Sequence, residues 1–357
     1  MTEDILHNQY PENDSQPSAT DGIESSPLVS PASGAGKFNF PGDLRAYSQA
    51  LHSYITNDLL RSAGFGDSGF KRKIMQSLLY LPGKRFSNGA VSFDYDVATL
   101  GFQKAIYNLM YRFVCGYQIS GRENIPTEGP LLMVANHPGT IDGMAVIANT
   151  PREDLKVTIV GDPFVRHLVA SSKYLICIPR IGDHYGRMEA MRSIIRHLKD
   201  GGALLMFPTG KIDPDPSVLP GSEDALRNWS PSLELILRKV PQTRLLVTII
   251  SGVISPTAVN HPLTTLLNRW EKAKVAGVTQ ILLQIFFPNK YRLTPQITFG
   301  PALTLDEIKN ITQMAEDGQP EVVLSTIIDQ ARQLLIEHRS ALNLVFAPLE
   351  HNDLQIP

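Results

Sequence analysis

Five short apolar runs separated by segments of helical period constrain this chain most. They are "LLMVAN" (131–136), "KVTIVG" (156–161), "YLICIPR" (174–180), "GALLMFP" (202–208) and "RLLVTIIS" (244–251), each bounded by Gly, Pro or charge. Runs this short, apolar on successive residues, fit strands covered on both faces. Between them lie helical stretches such as "RMEAMRSIIRHLKDGG" (187–202), which ends on a Gly-Gly stop. "PEVVLSTIIDQARQLLIEHRSAL" (320–342) reads as a closing helix. Strand and helix in alternation give an α/β class: a mostly parallel central sheet flanked by helices.

That rhythm starts near Tyr117 and defines an α/β domain over 117–350, preceded by two other regions. Residues 1–37 are rich in Ser, Pro, Asp, Glu, Asn and Gly. Such a segment buries too little apolar surface to offset the entropy of ordering, so it is expected to be a disordered tail. Residues 38–116 form a helical extension. "DLRAYSQALHSYITNDLLRSAG" (43–64) and "VATLGFQKAIYNLMYRFVCGY" (97–117) both carry apolar residues at helical spacing. The aromatic stripe of the second, with Phe102, Tyr107, Tyr111 and Phe113, suits packing on the next domain better than a membrane-facing role.

The formal charge of −2 on 357 residues lacks the basic excess of a nucleic-acid binder. The N-terminus has neither a basic n-region nor an apolar h-region, so no secretory signal is expected. No run reaches the ~18 apolar residues of a spanning helix, so membrane contact is expected to be peripheral. Cys115 and Cys177 sit in apolar surroundings and read as buried thiols of a reducing compartment. No zinc spacing is present, and no metal site is expected.

The chemistry concentrates at the end of "LLMVAN". Asn136 and His137 close the apolar run, Pro138, Gly139 and Thr140 follow, and Asp142 stands where the next helix should begin. Reactive groups collect at the carboxyl ends of strands in open α/β sheets. Five residues along a continuous helix would point His137 and Asp142 apart, but a Pro-Gly turn lets the chain fold back. The carboxylate can then accept one imidazole N–H and leave the other ring nitrogen as a base. A helix start beyond Gly139 also offers backbone N–H groups to an anion or oxyanion. "FPTGK" (207–211) is not a P-loop, because Leu205 and Ile212 occupy positions that require Gly and Ser or Thr.

"NHPGTID" (136–142) resembles the N-H-x4-D motif of the glycerolipid acyltransferases, and the run-in "GRENIPTEGPLLMVANH" (121–137) is similar too. "ICIPR" (176–180), "MFPTGK" (206–211), "LLVTIISG" (245–252) and "ITFGPALT" (297–304) resemble later blocks of the family in order. The resemblance implies His137 and Asp142 as the catalytic pair. It implies substrate contacts from Asn136, Gly139, Thr140, Arg180, Thr209, Gly210 and Lys211; Arg180 and Lys211 both follow strands that should end near His137 and read as a phosphate clamp. It further implies acyl-CoA or acyl carrier protein as donor, no cofactor, and a lysophospholipid or glycerophosphate-type acceptor, lysophosphatidate first. The expected location is cytoplasmic, at the membrane surface. Thr209 departs from the family glutamate, Ile212 from the family arginine, and the fourth-block proline is missing. Two other readings therefore stand beside the first: an acyltransferase for a non-glycerophosphate acceptor, and an inactive lipid-binding scaffold. Asp213 and Asp215 in "KIDPDPS" (211–217) fit either a replacement for the missing carboxylate or an ordinary Pro-Asp turn.

The segment "NRWEKAKVAGVTQILLQIFFPNKYR" (268–292) mixes Trp270, Phe286 and Phe287 with lysines and Arg292. Aromatic residues beside cations suit a bilayer interface, and an ordinary helix and strand would show the same composition.

Overall fold

The computed structural model describes residues 40–62, 69–160, 165–179, 183–260, 269–287, 290–315, 323–340 and 345–348. The expected tail (1–37) and Arg180 lie outside them. The chain begins with α1 (Phe40–Ser62), α2 (Phe70–Leu100) and α3 (Phe102–Met110), then β1 (Gly116–Ser120), β2 (Leu131–Ala135) and α4 (Asp142–Ala148). Next come β3 (Lys156–Val160), β4 (Leu175–Ile178), α5 (His184–Lys199), β5 (Ala203–Met206), α6 (Ser222–Leu226) and α7 (Ser232–Lys239). β6 (Arg244–Ser251), α8 (Pro256–Val259), α9 (Arg269–Phe286), β7 (Gln296–Leu303), α10 (Leu305–Ala315), α11 (Val323–Ser340) and β8 (Val345–Pro348) complete it. Among the described residues, no helix is long and apolar enough to cross a membrane.

The strands form one eight-stranded sheet in the order β4-β3-β5-β2-β6-β7-β1-β8. Neighbours from β4 through β6 are parallel, as are β7 and β1; β7 opposes β6, and β8 opposes β1. The sheet is thus mostly parallel and covered on both faces. The five apolar runs are β2 to β6. Along β2, Leu131, Met133 and Ala135 enter one apolar cluster with α3 and α4, while Leu132 and Val134 enter a second with α5, α7 and α11. Alternation sends successive side chains to opposite faces, which is why β2 is apolar throughout.

This topology creates a crevice. After β2 the chain leaves on the face covered by α4; after β5, its neighbour, it leaves toward α6 and α7 on the other face. Where adjacent parallel strands send their connections to opposite sides, a gap opens beyond their carboxyl ends. His137 follows β2 at that gap.

Two expectations need correction. Residues 97–117 do not form one helix. Gly101 adopts φ +88, separating α2 from α3, and the apolar spacing runs through the break because both flanks pack inward. Phe102 and Phe113 are buried there, in agreement with packing on the domain. The cysteines are not buried: Cys115 is exposed and Cys177 partly so. Cys115 Sγ lies 3.3 Å from the Leu293 carbonyl, at the margin of β1.

Buried polar groups tie the helical extension to the sheet. Asp94 of α2 is fully buried and accepts from Tyr47 of α1 at 3.0 Å, from the Ser171 N–H and hydroxyl at 2.7 Å each, and from the Ala170 N–H at 3.1 Å. A buried carboxylate with this many donors is tolerated where an unpaired one is not.

Candidate active site

β2 stops at Ala135, and Asn136 turns the chain out of the sheet. The Asn136 side chain donates to the Ile250 carbonyl and accepts from the Ile250 N–H, both at 2.8 Å, and is 2% exposed. Expected among the substrate contacts, Asn136 instead staples the start of the loop to β6, because both of its polar atoms are occupied there.

His137 follows. Its Nδ1 lies 2.7 Å from Asp142 Oδ2, so Nδ1–H donates and Nε2 is left as the acceptor. Asp142 also accepts from the N–H of Gly139 at 3.1 Å and of Gly143 at 2.6 Å, and its side chain is 1% exposed. Of the N–H groups at the helix start beyond Gly139, that of Gly143 is therefore taken by Asp142. An acid in the first turn of α4 also faces the favourable end of the helix dipole. The His137 side chain is 28% exposed, the outward member of the pair. Phe207, just past β5, stacks on the imidazole with ring centres 4.5 Å apart. Burial lowers the proton affinity of His137, but the charge and hydrogen bond of Asp142 and the charge of Asp213 outweigh it and hold His137 above the ordinary histidine value.

Gly139 is buried, and a Cβ there would come within 3.1 Å of Val253 Cγ2, so the turn is pressed against the loop after β6. Thr140 is exposed. On the β5 side, Phe207 to Gly210 form a turn closed by the Gly210 N–H on the Phe207 carbonyl at 3.1 Å, with Gly210 at φ +62. The Thr209 hydroxyl donates to the Lys211 carbonyl at 2.9 Å, so it braces the turn. Lys211 and Gly210 are exposed beyond it. The structure therefore assembles His137, Asp142 and the 207–211 turn at one crevice. Among the described residues, no group of three or more His, Cys, Asp or Glu side chains is placed to hold a metal ion.

Three residues matter more here than their sequence context suggested. Phe207 lies inside a strand-ending run, where an aromatic reads as core. Asp213 is fully buried: its Oδ2 accepts from the His137 N–H at 2.9 Å, and its own N–H donates to the His137 carbonyl at 2.7 Å. Burial pushes its carboxyl up to about 6. Asp215, also fully buried, accepts from the N–H groups of Gly252 (3.0 Å), Val253 (2.9 Å) and Ile254 (3.2 Å) and from Ser217. Asp215 does open a turn with Pro216, its carbonyl accepting from the Val218 N–H at 3.1 Å, but the turn is folded inward; Asp213 instead pairs with the His137 main chain.

The sequence model of the Acyltransferase family matches residues 116–233, a span that holds His137, Asp142 and the 207–213 loop. Among solved structures, the 1-acyl-sn-glycerophosphate (LPA) acyltransferase PlsC from Thermotoga maritima is similar, at 14% identity over 83% of this chain and 95% of that one, with a TM-score of 0.38. No curated protein matches the chain. Residues 116–233, which span the crevice in which His137 and Asp142 meet, thus match the Acyltransferase family as a domain.

Proposed function

We propose that the protein transfers a fatty acyl group from an acyl-CoA or acyl carrier protein thioester to a lipid hydroxyl, with lysophosphatidate as the leading acceptor. The observation that carries this reading is the 2.7 Å His137–Asp142 pair, which leaves Nε2 as the acceptor of a partly exposed imidazole. In the proposed reaction the acceptor O–H gives its proton to Nε2 as its oxygen attacks the thioester carbonyl. The C–O ester bond forms, the C–S bond breaks, and the imidazolium returns the proton to the leaving thiolate. Asp142 fixes the tautomer and stabilises the imidazolium, as the acid does in a hydrolytic triad.

The acceptor assignment rests on the cations and on Thr209. Lys211 is exposed on the turn beside the crevice, and Arg180 closes the "ICIPR" block. Lysine supplies a point charge, whereas arginine can hold two phosphate oxygens at once. A threonine in place of the family glutamate removes one negative charge from this side. Competition kinetics are expected to favour lysophosphatidate over glycerol-3-phosphate in kcat/KM by about tenfold, or ~1.4 kcal/mol of discrimination. Arg180→Ala and Lys211→Ala should depress transfer to phosphate-bearing acceptors far more than to neutral alcohols. Equal loss on both acceptor classes removes the two cations from the acceptor site and favours a non-glycerophosphate acceptor.

We also propose that the enzyme works at an anionic bilayer surface. Phe70, Ile74, Tyr80 and Leu81 of α2 are 79%, 46%, 50% and 66% exposed. Phe70, Ile74 and Leu81, with Lys73 and Lys84, share one helical face by their spacing. The segment from Gly69 to Phe93 carries five Lys and Arg and no Asp or Glu. Near the end of α9, Phe287 is 59% exposed with Lys290 Nζ 5.6 Å from its ring centre. Exposed apolar groups amid cations suit the headgroup boundary. Flotation with anionic liposomes should recover the protein, more weakly at high salt, and a carbonate wash should release it. Phe70→Ser with Leu81→Ser should cut recovery severalfold; undiminished flotation would move the contact elsewhere.

A further inference from the structure

We propose that Asp213 is a second positioning residue for His137: it clamps the His137 main chain to the loop after β5 and directs a buried carboxyl charge at the imidazole. This rests on the reading of His137 as the base.

The parallel ladder between β2 and β5 ends at Val134 and Met206. Beyond it the β2 chain runs into α4, while the loop after β5 keeps Phe207, Ile212 and Leu219 on the α4 side before reaching α6 and α7 on the other face. The reciprocal pair between His137 and Asp213, at 2.9 Å and 2.7 Å, rejoins them across the crevice. Asn136 makes the matching tie to β6 on the other side. The main chain at His137 is thereby held from both neighbouring strands, which fixes the point from which its side chain reaches Asp142.

A neutral side chain could accept the same N–H. A buried carboxyl is costly, all the more because, among the described residues, Asp213 Oδ1 has no hydrogen-bond partner. Such a group persists where its charge has a use. Among the described residues, the charged groups facing His137 are Asp142 from α4 and Asp213 from the loop after β5. Asp142 meets the ring directly; Asp213 acts through its charge and through the backbone. Facing Asp213 in turn are His137, Asp142 and the Thr209 hydroxyl. Its elevated proton affinity makes the three groups a coupled set, so the base is strongest when Asp213 is ionised.

The test separates charge from clamp. Asp213→Asn keeps an oxygen for the His137 N–H and removes the charge; Asp213→Ala removes both. The His137 imidazole is titrated by NMR in the full-length protein without substrate, its signals assigned by their loss in His137→Gln. Asp213→Asn should titrate at lower pH than wild type, and where acyl transfer is measured, the acid limb of kcat/KM should move down with it. Asp213→Ala should also lower turnover at the optimum, by about tenfold, while Asp213→Asn keeps it within about threefold. An unchanged His137 titration in folded Asp213→Asn overturns the proposal, as does wild-type turnover in Asp213→Ala. If asparagine prevents folding, Asp213→Ser, with a smaller acceptor oxygen, is read in the same way. Because the titration needs no substrate, it holds or fails independently of the acyl-transfer reading.

Discussion

Replacing His137 by alanine is expected to lower acyl transfer by roughly 10²–10⁴-fold, the usual contribution of a positioned general base, and to leave the protein folded. The imidazole hydrogen-bonds Asp142 and stacks on Phe207 at the mouth of the crevice. After its removal Asp142 still accepts from the N–H groups of Gly139 and Gly143, so its buried carboxylate is not orphaned. Turnover measured beside thermal melting separates the two effects. The pH profile has a definite sign. His137 must be neutral to accept a proton, and Asp142 and Asp213 hold its proton affinity above the ordinary histidine value. Activity should therefore fall as pH drops through a midpoint above that value. Asp142→Ala should lose activity on the same scale and move this midpoint down. Turnover like wild type in folded His137→Ala would end the proposed mechanism.

Asp215→Ala is expected to cost roughly 3–5 kcal/mol of stability, the range for breaking a buried charged network. The carboxylate gathers three consecutive N–H groups, Gly252 to Ile254, where the chain leaves β6. Without it those donors lose their acceptor, at about 1–3 kcal/mol for each that stays buried and unpaired. Relaxation and entering water keep the total below the sum. The same loop presses Val253 against Gly139, so specific activity should fall along with stability. Urea unfolding followed by two probes would measure the loss. A change under about 1 kcal/mol would show that the loop holds its shape without the acid.

The local part of this architecture was legible in residue order. β2 to β6 stood out because a strand buried on both faces must be apolar at every position, and α5 and α11 because an amphipathic helix repeats near every third or fourth residue. The His137–Asp142 pair was legible for a related reason: its members are five residues apart, and a Pro-Gly turn between them leaves few ways to fold.

What lay beyond reach depended on distant pairings. β1 and β8 carry mixed patterns and pair with each other at one edge of the sheet. The reversal of β7 against β6 leaves no local mark. Gly101 breaks a helix inside an unbroken apolar spacing, and only its positive φ reveals the joint. Asn136, Asp213 and Asp215 looked like turn residues or ligands. Their partners are Ile250, His137 and the 252–254 loop, up to 114 residues away in the chain. Residue order determined which segments are strands and which histidine and acid meet. The strand order, chosen by burying both faces of the sheet at once, decided which polar groups came within hydrogen-bonding distance and so which acids hold the base in place.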